Sequence, residues 1–124
     1  IEVLDWATLL DRYSSGDYTA MSFTYSARLD PTLSFDMMSG NKDDQPRKVW
    51  DNPEALDLIA QSTLTTDEGE RQAIFDELEA MFRSDLPMLP VYSGTRISAA
   101  RAGVDGYATW SVGSPRAWGV SISE

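Results

Sequence analysis

Tyr25, Ser26 and Arg28 put an aromatic ring, a hydroxyl and a fixed cation close together, where a predicted strand ends and a loop begins. The set suits binding better than bond-making. The ring offers a stacking or apolar surface, the hydroxyl a hydrogen bond, and the guanidinium a two-pronged partner for an anionic group. The C-terminal end of a strand is also the edge where open α/β sheets take their ligands. Asp30 and Pro31 follow, and this pair is expected to shape the loop rather than touch a ligand. The plainer alternative is that Tyr25 merely ends a strand and that Arg28 pairs with Asp30 or Asp36.

Catalysis has little to work with. The chain contains no His and no Cys, which removes imidazole and thiol chemistry, disulfides and ordinary zinc sites together. Paired carboxylates, a Ser-Lys pair or a bound metal remain, and none has a signature. There is no nucleophile elbow and no phosphate-cradling Gly-Lys-Ser/Thr loop. Asp43 and Asp44 sit in a solvated run with Lys42, Gln45 and Arg47. Asp30, Asp36, Asp43 and Asp44 miss the EF-hand spacing for calcium. We therefore expect no catalytic residue, no metal ligand and no cofactor.

The elements that position these residues come from a chain of 124 residues, of which 42% are hydrophobic and 10% aromatic, enough for one modest core. Twenty acidic residues against ten basic ones give a net charge of −10, which repels nucleic acid and anionic membrane surfaces. No apolar run approaches the roughly 20 residues of a membrane-spanning helix. Ile1 is not a start Met and IEVL is no signal segment, so a piece of something longer is expected.

Ile1 to Leu4 reads as a strand end, and Asp5 as the cap of a helix carrying Trp6, Leu9, Leu10 and Tyr13 up to Gly16. In TAMSFTYS the alternation of Met21, Phe23 and Tyr25 with small residues predicts a second strand. Residues 26–51 show no sustained period and are expected to form a long surface excursion. Asn52-Pro53 should start a helix with Leu56, Ile59, Ala60 and Thr63 facing inward. Asp67 and Glu70 resemble a capping box opening a longer helix, whose stripe of Ile74, Leu78, Met81 and Phe82 should pack on a sheet. MLPVY and residues 95–100 are further expected strands, and the remainder is expected to be mostly irregular.

In order, DWATLLDRYSSGDYTAMSF, RLDP, WDNPEALDLI, DEGERQAIFDELEAMFRSDLP, MLPVY, VDGYATW and PRAW resemble the C-terminal region of family 5 extracytoplasmic solute-binding proteins, which serve peptide and nickel ABC importers. The resemblance implies an α/β fold: part of one lobe of a type II periplasmic-binding-protein-like architecture, a mixed sheet with packed helices. Residues 1–124 would be a single C-terminal fragment, 1–94 in the lobe and 95–124 crossing back toward a missing N-terminal lobe. The implied function is capture of a small peptide-like or anionic solute outside the cytoplasmic membrane, in a periplasmic or other extracytoplasmic setting. The implied partners are that ligand, the missing lobe and a membrane permease, with no nucleic acid. In many peptide-binding members an Asp three residues before the Asp-Pro pair anchors the peptide ammonium group, and a Trp stands three residues before it. Here those positions are Ala27 and Thr24, so a simple peptide with a free amine is not the expected ligand. A binding-protein lobe used as a sensory or docking module without transport is the alternative.

Overall fold

The structure, a computed structural model, describes every residue except Ala27, Arg96, Ser111, Ser114, Pro115 and Glu124. The chain divides into two compact units. The first comprises Ile1–Thr24 with Asp30–Leu89, and the second Tyr25–Leu29 with Pro90–Glu124.

Among the described residues there are four helices, all in the first unit: α1 (Trp6–Ser15), α2 (Pro31–Met38), α3 (Pro53–Leu64) and α4 (Glu68–Asp85). Each starts on a side-chain oxygen that satisfies otherwise orphaned N–H groups. Asp5 accepts from the amides of Ala7 and Thr8 at 3.0 and 3.1 Å. Asp30 accepts from Thr32 at 2.9 Å, Asn52 from Glu54 and Ala55 at 3.0 and 3.2 Å, and Asp67 from Glu70 at 2.9 Å. Pro31 and Pro53 occupy first-turn positions, where a missing N–H costs nothing. Gly16 ends α1 in the left-handed region at φ 72°, and a Cβ there would also come within 3.0 Å of Pro46.

The core lies where α2, α3 and α4 meet. Trp50, Ala55, Leu58, Ile59 and Leu78 are buried together, with Phe35, Ile74, Phe75, Met81 and Phe82 packed around them. The rings of Trp50 and Phe82 meet edge to face at 5.3 Å, and Phe35 stacks on Phe75 at 6.3 Å. The α4 stripe is therefore covered by helices. The expected sheet beneath it is not there, because no described residue of 1–4, 19–26, 88–92 or 95–100 lies in a strand. An extended segment becomes a strand only beside a neighbour that takes up its backbone hydrogen bonds. The alternation of 21–26 nevertheless persists in burial: Met21, Phe23 and Tyr25 are half-buried while Ser22, Thr24 and Ser26 are exposed. Phe23 stacks on Tyr13 of α1 at 4.4 Å.

Two other expectations are corrected. Residues 26–51 are no featureless excursion, since α2 occupies Pro31–Met38 and the segment beyond it is tied back by the Gly40 amide on the Trp50 carbonyl at 3.0 Å. Lys48 is buried there, its ammonium donating to the Asp36 carbonyl. In α3 the buried face is Ala55, Leu58, Ile59 and Ser62, while Ala60 and Thr63 are exposed. Both stripes satisfy a helical period, and packing of Ser62 against Thr32 together with Leu78 in the core selects the first.

The second unit holds the only strand pair among the described residues, β1 (Val104–Asp105) with β2 (Ser121–Ile122), antiparallel with Val104 opposite Ile122. Gly106 follows β1 at φ 76°, and a Cβ on it would lie 2.1 Å from the Gly119 carbonyl oxygen. Only glycine permits that approach.

Candidate functional site

Tyr25, Ser26 and Arg28 lie in the segment Tyr25–Leu29, which belongs to the second unit although it interrupts the first in sequence. Tyr25 is half-buried, and Ser26 and Arg28 are exposed. Ala27, the position of the absent ammonium anchor, falls outside the described residues.

Asp30 and Pro31 turn out to begin α2, so their shaping role is that of a helix start. Asp30 carries more than the cap. The guanidinium Nη2 of Arg71, from α4, donates to both its carboxylate oxygens at 2.8 Å and to the Thr32 hydroxyl at 2.9 Å. Arg71 Nε donates to the Ser62 carbonyl at 2.9 Å, and the guanidinium lies 5.0 Å from the Phe75 ring centroid. The Ser62 hydroxyl donates to the Ile59 carbonyl at 2.8 Å, which leaves the Thr32 hydroxyl to donate to Ser62 Oγ across 2.9 Å. The carboxylate of Asp30, the hydroxyls of Thr32 and Ser62 and the Ser62 carbonyl all find partners in this partly buried network. Arg71 foremost, and then the Thr32 amide, hold the Asp30 carboxyl below the usual carboxylate value. This cation on α4 stands in the DEGERQAIFDELEAMFRSDLP stretch that carries the resemblance, but the sequence assigned it no partner. Its position in line with Ile74, Phe75 and Leu78 was the available signal, since an Arg on an apolar stripe needs an acidic partner.

A cavity of about 230 Å³ lies wholly in the second unit, lined by Gly106, Ala108, Thr109, Trp110, Arg116 and Trp118. Tyr25, Ser26 and Arg28 do not line it. The Arg116 guanidinium carbon sits 3.9 Å from the Trp110 ring centroid and 4.4 Å from that of Trp118. The stretch beyond residue 100, expected to be mostly irregular, carries no period that would bring Trp110 and Trp118 to an arginine. Charge is also unevenly shared: by sequence the first unit carries six basic and eighteen acidic residues, the second four basic and two acidic. Among the described residues no three His, Cys, Asp or Glu side chains gather as metal ligands, and no helix is long and apolar enough to cross a membrane.

These features accompany a similarity to solute-binding proteins. Over 109 residues, 86% of this chain and 20% of the relative, it is 26% identical to the probable deoxycholate-binding periplasmic protein YgiS of Escherichia coli strain K12. Over 93 residues, 71% of this chain and 16% of the relative, it is 27% identical to the oligopeptide-binding protein OppA of Bacillus subtilis strain 168. The matched stretches thus span a fifth or less of these relatives. No protein-family model and no solved structure matches the chain.

Proposed function

We propose that the chain is part of the solute-binding component of an ABC importer, working outside the cytoplasmic membrane and holding a small anionic solute without transforming it. The observation that carries this reading is the segregation of charge. The unit that bears Tyr25, Ser26 and Arg28 is the basic one, in a chain that is otherwise strongly acidic. A carboxylate ligand is drawn to such a unit and repelled by the rest. The relative named for deoxycholate supports the same choice, since that ligand couples an apolar body to a carboxylate.

On this reading the chain forms part of one lobe of a type II α/β protein, facing a second lobe and a membrane permease. The extended segments would pair with strands supplied elsewhere in the protein, which accounts for exposed Ile1, Val3, Leu89, Val91 and Tyr92. Tyr25 would contact the apolar body, Ser26 would hydrogen-bond, and Arg28 would grip the carboxylate.

Calorimetry with deoxycholate below its micellar range and with trialanine, on this chain and on a longer protein containing it, tests the reading. Deoxycholate should bind in preference to trialanine, and more tightly to the longer protein, because a one-sided site leaves little surplus over the roughly 4–15 kcal/mol cost of association. Arg28→Ala should cost under about 1 kcal/mol on a rim-exposed site, and about 2–5 kcal/mol where a second lobe buries the pair. Preference for trialanine, or indifference to Arg28→Ala in the longer protein, would overturn it.

A further inference from the structure

The Trp110–Arg116–Trp118 cluster needs an explanation that packing does not supply. Trp118 is 77% exposed, so burial is not what holds it beside Arg116. Among the described residues no carboxylate pairs with Arg116 and no hydrogen bond is made by its guanidinium. A guanidinium stacked on two indoles has its faces occupied and its donors directed outward in its own plane. Those donors form the fork that matches a carboxylate with two parallel hydrogen bonds. Arg116 also lines the cavity, together with both indoles and Thr109, so the open edge has a chamber beside it.

We propose that this cluster is a binding site for a small aromatic carboxylate, with Arg116 pairing the carboxylate and Trp110 and Trp118 contacting the ring. The size of the chamber sets the class of ligand. At about 230 Å³ it falls below the roughly 300–1,000 Å³ of sites for drug-sized molecules, which suits a single ring better than a fused skeleton. The walls set the body, because two indoles present flat apolar faces to a ring. Charge sets the head group: the unit is net basic, and its one described acidic residue, Asp105, is absent from the lining. Gly106, which lines the cavity, lies against the Gly119 carbonyl, a geometry that no other residue at 106 allows. The assignment does not rest on the role given to Tyr25, Ser26 and Arg28, none of which lines this cavity.

The test is a titration of the full chain with sodium benzoate, followed through the indole N–H resonances of its four tryptophans. Benzoate should shift the Trp110 and Trp118 signals saturably and leave those of Trp6 and Trp50 in place. Benzamide, the neutral isostere, should bind about tenfold more weakly or not at all, since it cannot take the charged fork. Arg116→Lys keeps the charge but not the fork and should weaken benzoate by about tenfold, and Arg116→Ala should abolish binding. Trp118→Ala opens no core, because that side chain is exposed, and should also abolish it; Trp118→Phe should retain it. Arg101→Ala, which removes a cation outside the cavity, should leave affinity within about twofold. The absence of saturable shifts, equal binding of benzamide, or survival of benzoate binding in Arg116→Ala or Trp118→Ala would show that the arginine only staples the two indoles together.

Discussion

Arg71 and Asp30 lie 41 positions apart in sequence, yet one guanidinium nitrogen of Arg71 reaches both oxygens of the Asp30 carboxylate at 2.8 Å. The pair fastens the residue that caps α2 to the N-terminal end of α4, and through Ser62 and Thr32 it includes α3 as well. It also fixes the chain at the residue directly after the Tyr25–Leu29 segment. The side chains are 29% and 40% exposed, so solvent screens the charge term and the hydrogen bonds carry most of the effect.

Arg71→Ala should destabilise the first unit by about 2 kcal/mol, because it leaves Asp30, Thr32 and the Ser62 carbonyl short of a donor. Arg71→Lys should recover less than half of that, having lost the planar fork. Urea unfolding of the three proteins measures both; a loss under about 0.5 kcal/mol for Arg71→Ala would show that water replaces the guanidinium freely.

The buried face of α3 can be read by paired substitutions. Ala55 is fully buried and Ala60 is exposed, so Ala55→Leu should overpack the core and cost about 1–3 kcal/mol while Ala60→Leu stays within about 0.5 kcal/mol. The reverse order would restore the face expected from sequence.

Leu78 is fully buried between helices, and Leu78→Ala should cost about 2–5 kcal/mol through lost transfer energy and the cavity left behind. A change under about 0.5 kcal/mol in the urea midpoint analysis would mean that α4 does not bear the core.

Acid should weaken the first unit through two carboxyls. Arg71 holds Asp30 below the usual value, and the Trp50 indole N–H, followed by the Asn52 side-chain amide, does the same for Asp85. Trp50 Nε1 and Asn52 Nδ2 each donate to Asp85 Oδ2 at 2.8 Å. A depressed folded value means that the unfolded chain takes up protons first. The stabilisation is therefore fully present above the ordinary carboxylate range and is lost as pH falls through it toward the folded values. Unfolding midpoints followed by Trp50 fluorescence from neutral pH to about pH 2 should decline across that range, and less steeply in Asp85→Asn. Equal slopes for the variant and the parent would remove Asp85 from this account.

Helix starts were legible in the residues because a cap is local chemistry. Asp5, Asn52-Pro53 and Asp67 each reach an amide two or three positions ahead, so nothing distant decides them. The alternation from Met21 to Tyr25 and the stripe from Ile74 to Phe82 were legible for the same reason, as periods along the chain. What covers those faces was not, because a period marks an apolar face without naming its partner. The α4 stripe met helices where a sheet was expected, and the α3 face turned to bury Ala55 and Leu58 because Thr32 and Leu78 stand on that side. The start of α2 was in view as Asp30-Pro31, but its eight residues carry too weak a period to outweigh the loop-like run that follows. The arginines were hidden most completely. Asp30 stands 41 positions from Arg71, and although Trp118 is only two residues from Arg116, Trp110 lies six residues the other way in a stretch with no period, so only the folded chain brings Asp30 to the one and both indoles to the other.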